Sequence, residues 1–434
     1  MKTVHVGILG LGTVGAGTAE TLLKQHDLLK ARTGIDLVLK KAADLDIDRD
    51  FGFDLPKECL TTDPKEVIHD PDIGIVVELI GGTTIARALT REALAAGKSV
   101  VTANKALLAE HGPELIQAAE QSGGELYFEA SVAGGVPIIK VLREGLIANP
   151  VTRITGILNG TCNYILTRME REGANFDDVL REAQELGYAE AEAGLDVDGW
   201  DTAHKAVILS QIAFGVPLRL EDVLVEGIRG IKPVDVKNAD ELGYRIKLLA
   251  LMDQSDQGLS VSVQPALIRK EHLLGSVDMS FNAIVVEGDV VDETLYYGKG
   301  AGKYPTASSV VADVVDAARE LVAGSPHRIP LSWRSEPMPS VIPVSERVER
   351  CYLRLQLLDR PGVMAKLTDT LGTHGIPISA LIQHETDEDQ KIVPVVILTG
   401  EAKVGKINSA LDELRMMEEI GPEMIRYRLE DLGE

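Results

Sequence analysis

Residues 4–15 read Val-His-Val-Gly-Ile-Leu-Gly-Leu-Gly-Thr-Val-Gly, and this stretch decides the fold. An apolar strand-type run over 4–9 leads directly into Gly10, Gly12 and Gly15, spaced as G-x-G-x-x-G. The first glycine permits a tight turn, the second lets a pyrophosphate approach the backbone, and the third allows close helix–strand packing. Thr13 and Val14 then open an apolar helix over about 14–23 whose N-terminal N–H groups face the phosphates. A second strand at 35–39 completes a β-turn-α-β unit, the opening of a dinucleotide-binding fold.

Working outward, strand-type runs at 73–79, 99–102 and 126–129 alternate with helical runs at 84–96 and 113–121. Such alternation implies a parallel, doubly wound sheet. The pattern changes after Ser131, where Ala133-Gly134-Gly135-Val136-Pro137 breaks the chain before a helix over 138–146. A strand at 151–158 and a turn at Asn159-Gly160-Thr161 follow, and short β-like segments recur to about residue 292. Residues 298–302 form a glycine-rich loop ahead of a strong helix at 305–322. Residues 324–346, rich in proline and serine, read as a linker. Beyond it the order is βαββαβ, a ferredoxin-like module. The expected architecture is therefore α/β. A Rossmann domain spans 1–134 and is completed by helix 305–322; a mixed α/β substrate and dimerisation domain spans 135–304; the small module spans 347–434.

A net charge of -23 gives no basic footprint for nucleic acid or an anionic membrane surface. It does not forbid an anionic cofactor, since a nest of backbone N–H groups binds phosphate on an acidic protein. Cys59, Cys162 and Cys351 form neither a disulfide framework nor a zinc spacing. No signal-peptide core or membrane-spanning run is present in the sequence, so a cytoplasmic location is expected.

Residues 187–205, GYAEAEAGLDVDGWDTAHK, carry the densest chemistry. Five acids (Glu190, Glu192, Asp196, Asp198 and Asp201) precede Lys205 and an apolar helix. Carboxylates for an ammonium group and a lysine for a proton or an oxyanion suit a small zwitterion; a charged loop capping a helix is the plainer alternative. Asp198 reads as the helix cap, with Asp201 and Lys205 an i, i+4 pair. Lys105 follows the strand at 99–102, at the sheet edge where ligands sit in open α/β folds. Lys40, Lys41 and Asp44 meet at the end of the second strand. An acid there favours the free ribose of NAD and a base the phosphate of NADP, and the two lysines tip the reading towards NADP. Cys162, near a helix start, is a nucleophile candidate for a thioester-forming semialdehyde dehydrogenase, or else a small buried residue.

Taken in order, GLGTVG at 10–15, TANK at 102–105, FEASVAGGVPII at 128–139, GILNGTCNYIL at 156–166, the 187–205 stretch and GKGAGKYPTASSVVAD at 298–313 resemble homoserine dehydrogenase with a C-terminal ACT domain. The resemblance implies an NAD(P)-dependent interconversion of L-homoserine and L-aspartate 4-semialdehyde, on the route to threonine, methionine and isoleucine. By position it implies Lys205 as proton donor and Lys105 as a second lysine near cofactor and substrate. It places Glu190, Asp196 and Asp201 in the substrate pocket and Gly302 in a loop returning to the cofactor. It implies a structural monovalent cation, Na+ or K+, on Glu129, Val132, Gly134 and Val136. A homodimer or homotetramer and a threonine effector at the ACT domain are implied as well. The chain departs from the family at Cys162, commonly threonine, at Ala193-Gly194, and at Pro377, often asparagine. A non-catalytic amino-acid sensor is the alternative from another class, and intact Lys105, Glu190 and Lys205 argue against it.

Overall fold

The computed structural model describes residues 1–186, 193–325, 328–330, 333–383 and 392–430. Six parallel strands form the first sheet, in the order Leu60–Thr61, Ile35–Ala43, Lys2–Leu9, Ile73–Glu78, Ser99–Thr102, Leu126–Tyr127. The central strand Lys2–Leu9 buries Val4, Val6, Ile8 and Leu9, as expected of a parallel strand covered on both faces. Helix Thr13–Lys24 leaves its tip, and helix Lys303–Ala323 packs beside it; Val310, Val314 and Ala317 share one apolar cluster with Val6 and Ile8. The helix expected at 113–121 instead begins at Lys105, capped by Asn104, and runs to Ser122 with Pro113 inside it.

The second sheet is larger. Its strands run Asp292–Lys299, Phe281–Gly288, Val151–Ile157, Tyr244–Ser255, Gly258–Arg269, Ile420–Glu430, Val348–Leu358, Ile392–Thr399, Ile378–Gln383. The last four belong to the C-terminal module and show its βαββαβ order with helices Val363–Thr373 and Val404–Arg415. The module does not hang free. Strand Ile420–Glu430 pairs in parallel with Gly258–Arg269, with Ala266 opposite Arg428. One face of the module packs its own helices through Leu353, Leu367, Ile407 and Leu411, while Tyr352, Leu398, Tyr427 and Leu429 join the core of the body.

Buried charges at this junction are paired, as burial demands. Arg354 meets both oxygens of Asp235 at 2.6 and 2.9 Å and also reaches Glu423 at 2.7 Å. Arg428 pairs with Glu430 and Glu349, and Arg153 with Asp253 and Glu430. The expected linker is likewise strapped down. Leu259 exchanges backbone hydrogen bonds with Ser340 and Ile342, and the Trp333 indole donates to the Ile212 carbonyl. Backbone pairing and one indole hydrogen bond thus tie a proline-rich stretch that composition alone marks as loose. Among the described residues no helix is long and apolar enough to cross a membrane.

Candidate active site

The glycine turn sits at the carboxyl edge of the first sheet. Gly10 has φ +90, and a Cβ there would lie 2.7 Å from the Leu79 carbonyl oxygen. A Cβ on Gly15 would lie 2.0 Å from the Gly10 oxygen, so only glycine lets the helix approach the turn. At Gly12 a Cβ meets nothing within 4 Å. Packing does not require that glycine; the space it leaves, in front of a helix whose cap has no side chain, fits a pyrophosphate. Thr13 and Val14 are the first two residues of that helix.

Beside the turn, Asp44 accepts from the Leu11 N–H at 2.6 Å. Arg49 donates to the Leu11 carbonyl, touches Asp44 at 3.4 Å and lies over the Phe51 ring. The two lysines behind the NADP reading are engaged elsewhere: Lys40 pairs with Asp70 and Asp72, and Lys41 with Glu66. Arg49 takes their place as the cation next to the turn, a residue the sequence reading did not single out.

A second cluster is built around Asp201, in the first turn of helix Trp200–Phe214. Its Oδ1 is 3.0 Å from the Lys105 ammonium and its Oδ2 2.6 Å from that of Lys205. Lys205, 8% exposed, also donates to the Leu158 carbonyl at 2.6 Å. The two lysines, a hundred residues apart in sequence, thus share one carboxylate. Burial pushes the Asp201 carboxyl up, but Lys205 and then Lys105 outweigh it and hold it well below the usual carboxylate range. Asp196 lies on the same side, and burial together with the Asp201 charge raises its pKa. Asn159 joins the two acids, its Nδ2 donating to Asp196 at 2.7 Å and to Asp201 at 2.9 Å. Asp198 is not the helix cap. Gly199, at φ +89, takes that position, because the chain must turn left-handed there, and Asp198 pairs outward with Arg229.

Lys105 opens helix Lys105–Ser122, and a buried network fixes that start. Glu78 accepts from the Thr102 hydroxyl at 2.7 Å and the Ile80 N–H at 2.8 Å, while Asn104 accepts from Leu107 and donates to Gly82. Glu190 lies outside the described residues. Cys162 is fully buried, its Sγ 3.2 Å from the Asp196 carbonyl. Burial first, then Asp196 and Asp201, push its thiol well above the usual range. Its helix N-terminus is occupied by Asn159, which caps it through the Cys162 N–H. A buried thiol held against a carbonyl is poorly placed to act as a thiolate nucleophile, and nothing here supports the thioester reading.

Glu129, Val132, Gly134 and Val136 are all buried where the two sheets meet. Ser309 donates to the Gly134 carbonyl at 2.6 Å, and the turn presses on the glycine loop: a Cβ on Gly134 would lie 2.4 Å from the Gly300 oxygen. Gly302, at φ +125, caps helix Lys303–Ala323 beside this contact. The Glu129 carboxylate accepts from Ile139 and Lys140 N–H, and Asp313 accepts from the Glu129 N–H. A hard cation takes oxygen ligands; on this turn the Gly134 carbonyl also accepts from Ser309, the Val136 carbonyl from Ile138 and the Glu129 carboxylate from two backbone N–H groups. Among the described residues no group of three or more His, Cys, Asp or Glu is placed to hold a metal.

Residues 137–315 match the homoserine dehydrogenase family, residues 10–129 its NAD-binding domain, and residues 352–415 the ACT domain. The chain is 42% identical to the homoserine dehydrogenase of Pseudomonas aeruginosa, with all of both chains covered. A crystal structure of a homoserine dehydrogenase from Thiobacillus denitrificans superposes with a TM-score of 0.94 at 45% identity, covering 100% of this chain and 99% of that one. A hyperthermophilic archaeal homoserine dehydrogenase in complex with NADPH matches 73% of this chain and 98% of its own, with a TM-score of 0.62 at 28% identity. The chain belongs to the homoserine dehydrogenase family: it is an NAD(P)-dependent oxidoreductase that interconverts L-homoserine and L-aspartate 4-semialdehyde and carries a C-terminal ACT domain.

Proposed function

We propose that Lys205 carries the proton of this reaction and that Asp201 holds it in register with Lys105. The observation that supports this is the single buried carboxylate shared by both ammonium groups. Gly10, Gly12, Thr13, Val14 and Gly15 would hold the pyrophosphate of the dinucleotide, with Gly302 and Lys105 nearby, and the bound nicotinamide would supply or take the hydride. In the reductive direction an alkoxide develops on the substrate oxygen, and the Lys205 ammonium stabilises it and donates its proton. In the oxidative direction the lysine must first be neutral to accept the hydroxyl proton. Homoserine oxidation therefore accelerates as pH rises. Asp196, with Glu190, receives the substrate ammonium. The test is the pH profile of homoserine oxidation in wild type and Lys205→Ala. The variant is expected to lose about 10²–10⁴-fold in kcat while cofactor binding persists. A flat wild-type profile, or a variant with most of its turnover, overturns the assignment.

The finer features belong to the same reading. Arg49 beside the glycine turn favours the 2′-phosphate of NADP over the free ribose of NAD. Glu129, Val132, Gly134 and Val136 would hold a monovalent cation, Na+ or K+, which would organise the junction between the sheets without entering the chemistry. The chain divides into a Rossmann domain over 1–134 with the late helix, a catalytic domain over 135–304 and an ACT domain over 347–434. Threonine binds the ACT domain near Asp359–Val363. The protein is a cytoplasmic homodimer or homotetramer, and the edge strands Asp292–Lys299 and Ile378–Gln383 leave ladder groups available for such pairing.

A further inference from the structure

Asn159 has every hydrogen-bonding group of its side chain spent on the active site or on the helix it begins. Its two Nδ2 hydrogens go to two different carboxylates, Asp196 at 2.7 Å and Asp201 at 2.9 Å. Its Oδ1 accepts from the Cys162 N–H at 2.8 Å and caps helix Gly160–Glu172. The side chain is 4% exposed. The amide cannot be turned over. A flip would aim its oxygen at two carboxylates and its NH2 at a backbone N–H, leaving donors facing donors and acceptors facing acceptors.

We propose that Asn159 is a positioning residue that holds the Asp196 carboxylate at a fixed spacing from the Asp201–lysine centre. This rests on the reading of Asp196 as a substrate contact and Lys205 as the proton carrier. Two buried carboxylates repel, and without a donor between them one swings away or takes a proton. A cation in that place would compete with the substrate ammonium; a neutral amide with two hydrogens bridges the acids without adding charge. The groups that face Asp196 among the described residues are Asp201 and Lys205 from helix Trp200–Phe214, Lys105 from its own helix, and Cys162, whose Sγ meets the Asp196 carbonyl. Asp198, two residues on, is drawn outward by Arg229. Burial and the Asp201 charge raise the Asp196 pKa, while Asn159 and then the two lysines oppose the rise. Removing the amide therefore favours protonation of Asp196 and loosens the substrate ammonium, and leaves the glycine turn untouched.

Two variants test this in the full-length enzyme. Asn159→Ser keeps an oxygen for the helix cap but gives up the bridge. Asn159→Asp keeps shape and cap but puts a third carboxylate where the two donors were. Asn159→Ser is expected to raise the KM for homoserine about tenfold, the scale of one hydrogen bond to a charged group. The acid limb of kcat/KM for homoserine should move to higher pH, and the KM for the cofactor should stay unchanged. Asn159→Asp should move that limb further in the same direction. A lower melting temperature with an unmoved acid limb in both variants overturns the proposal, as does an equal rise in KM for homoserine and cofactor. The alkaline rise of homoserine oxidation in wild type separates the two readings. If wild type shows it and the Asn159 variants keep the wild-type acid limb, only the positioning role falls. If wild type lacks it, the Lys205 assignment falls first.

Discussion

The glycine turn at the carboxyl edge of the first sheet and the Asp201 centre are built in opposite ways. The turn is local: Gly10, Gly12 and Gly15 lie within six residues, and the contacts that demand glycine are with Leu79, just past the neighbouring strand, and with Gly10 itself. The Asp201 centre is assembled from four separate pieces of chain: Lys105, the Leu158–Asn159 turn, Asp196, and helix Trp200–Phe214. A phosphate needs only a row of oriented N–H groups, which a short turn supplies. A proton relay needs charges of both signs held within hydrogen-bond reach in a dry place, and one short segment cannot surround a carboxylate in that way.

If that contrast is right, damage at the centre spreads and damage at the turn stays local. The largest effect is expected from Asp201→Asn. It removes the charge of a carboxylate that pairs with both lysines, so Lys105 and Lys205 both shift, and turnover falls on the order of 10²-fold, the cost of misplacing a reacting group by about an ångström. Its melting temperature should fall too, since breaking a buried pair costs about 3–5 kcal/mol. Steady-state kinetics with thermal melts would show it, and a variant with wild-type kcat breaks the comparison. Next comes Gly15→Ala, whose Cβ would collide with the Gly10 oxygen. Overpacking of about 1–3 kcal/mol should appear as weaker cofactor binding, with the KM for homoserine little changed. A parallel loss of both affinities would show that the turn and the centre are coupled. The smallest effect is Arg49→Ala, expected to raise the KM for NADP about tenfold, roughly one charge-assisted hydrogen bond, and to leave that for NAD alone. Equal changes for both cofactors would remove Arg49 from the 2′-phosphate site.

The C-terminal module makes the same point for the fold. Its βαββαβ order is legible in the hydrophobic runs from Val348 onward, because each element satisfies its own period. The docking is not. Parallel pairing of Ile420–Glu430 with Gly258–Arg269 joins strands more than 150 residues apart, and neither sequence names its partner. Nor does Arg354 reveal that its carboxylate is Asp235, on a helix of the body. An effector site in this module is thus joined to the catalytic sheet by backbone hydrogen bonds, a stiffer connection than the proline-rich composition of 324–346 implies.

Within the candidate site the same division holds residue by residue. Lys205 was legible because a lysine four residues after an acid, on an otherwise apolar helix, has few places to point except inward. Asn159 reads in sequence only as part of a turn into a helix, which it caps; its second set of hydrogen bonds carries no local signature. Lys40 and Lys41 misled for the converse reason. A basic pair at a strand end matches a cofactor contact by type and position, but Asp70 and Asp72 from a loop and Glu66 from helix Pro64–Ile68 claim them.

The sequence by itself determined the glycine turn, the alternation of strand and helix, the ferredoxin-like order of the last domain and the family. All of these depend on spacing along the chain, which sequence records directly. Only the tertiary structure decided that Asp201 serves two lysines, that Cys162 is buried, that Arg49 stands by the turn, and that the ACT domain shares a sheet with the body. Each of those is a pairing between distant groups, chosen because a buried charge or an unpaired strand edge must find its complement wherever the fold brings one.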